Sequence, residues 1–275
     1  MKGLYLYCII RQGSPTELNG LRGVDDQPVH AFTGEGMTAF VSEIEADDFS
    51  NAPGEHLGSL EWLEPKLRAH EKVNAMVLGQ SDAILPMKFA TIFKERGHLT
   101  ECLEEHAARF TELLTHVHQK QEWGVKVFAR LSEFIDKIRK RRRIQRREAR
   151  LREERRGAAY FLQKKLDDQV GDLAERELRR CRERMTQTMM RAATAWVSND
   201  IWPREATGSE DNMVLNASYL VSKEQHSRWM RDLERIQEMY VPFGFNIICT
   251  GPWPPYNFVE LTGCVPSLSS AQQKG

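Results

Sequence analysis

A histidine beside a glutamate can bind zinc or move a proton, and this chain carries such a pair at His70-Glu71. A zinc-protease helix needs a second histidine four residues after the first, on the same face. Position 74 is Asn74, so that chemistry is excluded. His116 and His118 stand two apart, which on a helix turns them to different faces, and no metal site is expected there. The sequence has no glycine-rich loop ending in Lys-Ser or Lys-Thr, no G-x-S-x-G elbow and no G-x-G-x-x-G turn. No catalytic residue, cofactor or metal is expected, and the chain reads as a non-enzyme. His70, Glu71 and Asn74 fall at the border of an apolar stripe, where buried polar groups must find partners in a neighbouring strand or loop.

Two other segments stand out chemically. Lys137 to Arg156 holds twelve basic and three acidic residues in a chain whose Lys+Arg and Asp+Glu are equal at 39 each. The run can grip phosphates in a salt-sensitive way, and a nucleic-acid-binding protein acting through residues 137–156 is the alternative function. It lacks interleaved aromatics and any known nucleic-acid module, so a solvated or mobile helical connection is the plainer reading. The second segment is Gly251–Val259, where three prolines, Trp253, Tyr256 and Phe258 make an extended, apolar strap. It directly follows a core strand, so it is expected to pack across its own domain with Trp253 on nearby core.

The elements that position these residues follow from periodicity. Leu4–Ile10 and Met37–Ile44 are short apolar runs with strand character. A helix from about Leu57 to Leu78 places Leu60, Leu63, Leu67, Asn74 and Leu78 on one stripe. Ile84–Phe93 alternates as a strand, with Pro86 at its start or on a sheet edge. A single helical period joins Leu99, Cys102, Leu103, His106, Phe110, Leu113, Leu114 and Val117, and Glu122–Phe128 returns as a strand. Two helices on one face of a mostly antiparallel sheet make a ferredoxin-like plan for residues 1–131.

Residues 132–275 form the second expected domain. A charged helical stretch runs from Ser132 to Arg156, broken or bent near Gly157, and a long helix covers about Ala158 to Val197. A β-α-β unit closes the chain: strand Met213–Val221, a helix after Ser222 with Trp229, Leu233, Ile236 and Tyr240 inward, and strand Phe245–Thr250. The fold class is α+β. The five cysteines form no C-x-x-C pair and read as reduced thiols of a cytosolic protein. The first apolar run, at seven residues, is too short for a signal peptide core with its cleavage site or for a membrane span, so no membrane partner is expected.

Seven strings, in order, resemble the gas vesicle L/F protein family. They are Leu4-Tyr-Leu-Tyr; His70-Glu71; Leu85-Pro-Met-Lys-Phe-Ala-Thr-Ile-Phe; Glu122-Trp-Gly-Val-Lys-Val; Gly157-Ala-Ala-Tyr-Phe-Leu; Met213-Val-Leu-Asn-Ala-Ser-Tyr-Leu-Val; and Thr250-Gly-Pro-Trp-Pro-Pro-Tyr-Asn-Phe-Val. The resemblance departs at Lys88 and Ala90, where arginine and glycine are frequent, and along 137–156. It implies an accessory or minor structural protein located at the gas vesicle in the cytoplasm. Its implied partners are the small hydrophobic shell subunit and other gas vesicle accessory proteins, with nucleic acid not among them. An exposed sheet edge can accept an added strand, so Pro86, Met87, Lys88 and Phe89 are the expected partner-binding residues.

Overall fold

The computed structural model describes residues 2–14, 18, 20–50, 60–151 and 156–266. These fall into two compact units, Met1–Glu122 with Pro252–Gly275, and Trp123–Gly251. The division differs from an expected cut between 131 and 132. The strand expected at 122–128 contributes its residues to the second unit's sheet, and the residues after 251 return to the first unit.

In the first unit, β1 (Lys2–Arg11), β2 (His30–Gly34), β3 (Met37–Glu45), β4 (Leu85–Pro86) and β5 (Ile92–Phe93) form one sheet in the order β2-β3-β1-β4, with β5 also on β1. Every pairing is antiparallel. β2 and β3 are joined through Glu35 and Gly36, both at positive φ (52° and 72°), the twist a two-residue hairpin turn requires. The hairpin is hard to foresee because Glu is a rare choice at such a position.

The expected Ile84–Phe93 strand is split. Leu85 and Pro86 pair with Ile9 and Cys8, while Ile92 and Phe93 pair with Tyr5 and Leu4. Ala90 lies between them at φ 62°, which extended backbone cannot continue through. Pro86 sits on the edge strand, where the missing N–H costs no ladder bond.

The helices are α1 (Asp47–Ser50), α2 (Leu60–Gln80), α3 (Arg96–Glu105) and α4 (Ala107–Val117). They do not share one face of the sheet as the ferredoxin-like reading has it. Leu4, Leu6 and Ile9 pack with the α3–α4 residues Leu99, Leu103, Phe110 and Leu114, whereas Tyr5, Tyr7, Cys8 and Ile10 pack with Val73 and Val77 of α2. The sheet is therefore covered on both faces, which is why β1 is a continuous apolar run rather than an alternating one. A β-bulge makes both faces consistent. Leu6 opposes Val41 and Cys8 opposes Phe40, so Tyr7 is the extra residue and the alternation inverts after it.

The buried face of α2 is also shifted from the expected leucine stripe. Lys66, His70, Val73, Asn74 and Val77 are buried, while Leu60 is 72% exposed. The proposed beginning of that helix at Leu57 lies outside the described residues. The continuous helical period from Leu99 to Val117 is broken at His106, whose φ/ψ of −109°/12° leaves the helical region between α3 and α4.

The second unit holds β6 (Lys120–Ala129), α5 (Leu131–Arg139), α6 (Arg142–Leu151), α7 (Arg156–Met190), β7 (Ala195–Ser198), α8 (Arg204–Thr207), β8 (Asn212–Ser222), α9 (His226–Tyr240) and β9 (Phe245–Trp253). Its sheet runs β7-β8-β6-β9, so β6 is inserted between the two strands of the expected β-α-β unit. Trp229, Leu233, Ile236 and Tyr240 of α9 face the core as the periodicity requires. Ser222 Oγ accepts the Gln225 N–H at 3.3 Å in the turn before α9. The long helix stops at Met190 rather than Val197, and Trp196 lies on β7 opposite Tyr219. Among the described residues no helix is long and apolar enough to cross a membrane.

The basic run is neither one helix nor a loose connection. It breaks at Lys140-Arg141, ahead of the expected bend, and Ile138 (2% exposed) and Ile144 (8%) enter the core with Leu166 and Val170 of α7. Arg139 pairs with Asp167 at 2.7 Å and Arg141 with Glu177 at 3.4 Å. Residues 152–155 lie outside the described part. Ile138→Ala should therefore cost about 2–4 kcal/mol in urea unfolding, as for a buried aliphatic side chain. The pair Arg142→Gln and Arg146→Gln should cost less than about 1 kcal/mol, because both side chains are exposed. A large loss from the arginine pair would show that charge, not the isoleucines, docks this segment.

Candidate functional site

The polar residues that the sequence leaves without a role gather in the first unit. On α2, His70 and Asn74 are one turn apart and both buried, with Glu71 half-buried beside them. His70 Nδ1 lies 2.9 Å from Tyr5 Oη, and its Nε2 lies 3.2 Å from the Met87 carbonyl and 2.9 Å from Asn74 Nδ2. Tyr5 Oη in turn accepts the Ala90 N–H at 3.0 Å. The imidazole is ringed by Tyr5, Tyr7, Phe89 and Tyr256, with centroids between 5.7 and 6.5 Å away. Burial among these groups pushes the His70 pKa down to about 4, so the ring is neutral at physiological pH.

The other half of the cluster comes from the strap. Tyr256 Oη donates to Glu71 Oε1 at 3.0 Å and accepts from Asn74 Nδ2 at 2.8 Å. Next to it, the Asn257 backbone N–H donates to Glu122 Oε2 at 3.0 Å and its side-chain amide donates to Glu122 Oε1 at 2.5 Å. Pro254 and Pro255 are buried, while Trp253 remains 43% exposed. The strap thus begins as the end of β9 and is then anchored by Tyr256, Asn257 and the two prolines, its residues from Pro252 onward grouping with the first unit. Burial raises the Glu71 pKa, and the hydrogen bond from Tyr256 partly offsets that rise.

These groups hold backbone. The neutral His70 and the Tyr5 hydroxyl tie α2 and β1 to the carbonyl of Met87 and the N–H of Ala90, the two ends of the turn after β4. The same turn is closed by Met87 N–H to the Tyr7 carbonyl (2.8 Å) and by Thr91 Oγ1 to the Lys88 carbonyl (2.8 Å). Among the described residues no group of three His, Cys, Asp or Glu side chains is arranged to hold a metal ion. Of the four residues expected to bind a partner, Pro86 and Met87 are buried, Phe89 is half-buried against Tyr5, Phe49 and His70, and Lys88 is exposed. They are contiguous, but only the Lys88 side chain stands fully toward solvent. Tyr256, Asn257 and Glu122 are the site residues that sequence reasoning misses. The signal for them is the unpaired demand of Asn74 and Glu71, one turn and one residue from a buried histidine.

The chain matches the family described as "Gas vesicle synthesis protein GvpL/GvpF" over residues 3–260. It is similar to gas vesicle protein L of Streptomyces sp. (strain CB03234), 26% identical over 261 residues, covering 94% of this chain and 92% of that protein. Its fold is similar to the crystal structure of the gas vesicle protein GvpF from Anabaena sp. PCC7120, with a TM-score of 0.66 at 22% identity, covering 94% of this chain and 97% of that one. The GvpF structure from Microcystis aeruginosa gives a TM-score of 0.65 at 20% identity, covering 94% and 99%.

The cluster makes two expectations. Because the folded His70 pKa lies near 4 against an ordinary value of 6.5, the unfolded chain binds the proton more readily. Stability present above pH 6.5 is lost as pH falls through the folded value, by up to about 3 kcal/mol from this group. Glu71, with a raised pKa, acts in the opposite direction, since its contribution is largest at low pH. In urea titrations at pH 7 and pH 4.5, His70→Gln should lose less stability on acidification than the parent chain; equal losses would contradict the assignment. The second expectation concerns the strap. Tyr256→Phe should cost about 1–3 kcal/mol by removing the hydroxyl that donates to Glu71 and accepts from Asn74. Trp253→Ala should fall below the 3–5 kcal/mol typical of a buried tryptophan, measured by the same unfolding curves.

Proposed function

Because this chain belongs to the gas vesicle synthesis GvpL/GvpF family, we propose that it binds the hydrophobic shell-forming subunit and supports vesicle nucleation and formation. The observation that carries this reading is the extent of the match. It spans residues 3–260 and thus includes both compact units and the strap, not one borrowed module. The family is one of gas vesicle synthesis rather than of enzymes, and the role is that of a gas vesicle accessory protein. A shell subunit with one apolar face exposes aggregation-prone surface before it is incorporated, and a protein partner can cover that surface.

We place the contact at the turn after β4. His70, Tyr5 and Thr91 hold the backbone there, so Lys88 and Phe89 are presented from a rigid frame next to the two-residue edge strand. A pre-organised turn loses little entropy when it binds. Pro86 and Met87 serve as the buried base of that turn. The nucleic-acid alternative is weaker. Arg139 and Arg141 of the basic run are engaged by Asp167 and Glu177, and Arg147 donates to Gln169 at 2.7 Å, so part of the positive charge is already answered within the chain.

Deleting the gene from a strain with no second family member should abolish or malform vesicles, with restoration by the parent chain. Normal vesicles in that strain would overturn the proposal. Lys88→Glu should leave the unfolding midpoint unchanged while reducing shell-subunit capture in pull-downs. Unchanged capture would move the contact elsewhere on the protein without touching the vesicle role.

A further inference from the structure

Beyond the Tyr256 anchor, the C-terminal segment of the first unit continues over the core between the sheet and α3–α4, where Val259, Leu261, Cys264 and Val265 are half-buried. At its far end the Cys102 thiol on α3 donates to the carbonyl oxygen of Cys264 at 2.8 Å. A carbonyl oxygen lies about 2.4 Å from the Cα of its own residue, so the Cys264 Cα is within about 5 Å of the Cys102 sulfur. Disulfides span Cα separations of about 4.4–6.8 Å, and contact between the Cys102 thiol and the Cys264 backbone puts the two residues near that range. The two are 162 positions apart in sequence, so no local pattern brings them together.

We propose that Cys102 and Cys264 are a redox-modifiable pair, a disulfide site through which a peroxide oxidant staples the C-terminal segment to α3. Cys264 is the half-exposed member and Cys102 is 8% exposed, which orders the steps. The Cys264 thiolate attacks one oxygen of hydrogen peroxide; the O–O bond breaks, and the second oxygen departs as water after taking a proton, leaving a sulfenic acid on Cys264. The Cys102 sulfur then attacks the Cys264 sulfur. The S–S bond forms, the S–O bond breaks, and the hydroxyl leaves as a second water with the proton from Cys102. Two thiols are oxidised by two electrons, and one peroxide is reduced to two waters. Burial pushes the Cys102 thiol up to about 12, so the second step quickens with rising pH. In the reduced protein the Cys102 thiol hydrogen bond and partial apolar contact join this part of the segment to α3 and the core. In the oxidised protein it is covalently closed.

The test uses the full chain treated with a small excess of hydrogen peroxide, then alkylated and digested for mass spectrometry without reductant. A peptide joining Cys102 to Cys264 is expected, with titratable thiols in denaturant falling from five to three. The thermal midpoint should rise on oxidation and return on addition of dithiothreitol, and Cys264→Ser should abolish both the joined peptide and the midpoint shift. Oxidation that leaves Cys102 and Cys264 unjoined, whether as free thiols or as sulfinic acids, would overturn the pair. Because that result is read on the parent chain, it does not depend on how a variant folds.

Discussion

The first unit depends on a single constraint: β1 is buried on both faces yet carries two tyrosines whose hydroxyls must be answered inside the core. Tyr5 and Tyr7 are both 0% exposed. A buried hydroxyl without a partner costs more than its packing returns, so the surrounding chain is arranged around these two oxygens. Tyr7 Oη donates to Ser42 Oγ at 3.0 Å and accepts the Val24 N–H at 2.8 Å, and Ser42 Oγ donates in turn to the Pro28 carbonyl at 2.9 Å. The loop carrying Val24 can come so near because residue 23 is glycine; a Cβ there would stand 2.0 Å from the tyrosine oxygen. Tyr5 performs the matching task on its other side, joining His70 to the turn at Ala90. Strand alternation turns both hydroxyls toward the α2 side and Leu4 and Leu6 toward α3–α4, and the bulge at Tyr7 then sets Cys8 on the tyrosine side and Ile9 on the leucine side.

From that constraint the polar cluster follows in steps. His70 answers Tyr5, Asn74 and the Met87 carbonyl approach His70, and Tyr256 answers Asn74 and Glu71. Each member is buried or half-buried and leans on the next, which is how a neutral histidine persists far from solvent. A second buried polar device supports α2 from outside: Lys66, 9% exposed, pairs with Asp25 and lies over the Trp62 and Phe49 rings at 4.9 and 5.3 Å. Together these interactions fix helix, strand, turn and strap as one frame, in which polar residues do structural work that a motif search treats as a candidate for catalysis.

The second unit answers a different demand. Its sheet buries the alternate residues Leu215, Ala217, Tyr219 and Val221 of β8, and α9 supplies a face at helical spacing to cover them. α7 lends Leu166, Val170, Ala174, Met185 and Met189 to the same core along its 35 residues. The positive charge of α5 and α6 is carried on helices held down by few apolar side chains, and the acids of α7 stand opposite part of it. A strongly basic stretch can thus be an ordinary packed element when its period brings an isoleucine to the inner face at the right turns.

Much of this was legible in the sequence because it depends on local periodicity. The alternation of Met213–Val221, the helical spacing of Trp229 to Tyr240, the apolar run of β1 and the edge position of Pro86 each express backbone geometry that a few neighbouring residues suffice to define. The ordered strings that resemble a gas vesicle family were legible for the same reason, and the family match over residues 3–260 agrees with them. What only the tertiary structure decided are relations between distant residues. Periodicity assigns a residue to a stripe but does not say which sheet face receives it, so a ferredoxin-like plan sets α2 on the face of α3–α4 when the two lie on opposite faces. It could not show that Tyr256 completes a cluster begun 182 residues earlier at Asn74, or that Cys102 lies against Cys264. A hydrogen-bond demand is visible in the sequence as a polar residue on an apolar stripe, but the group that meets it is chosen by the closure of the chain.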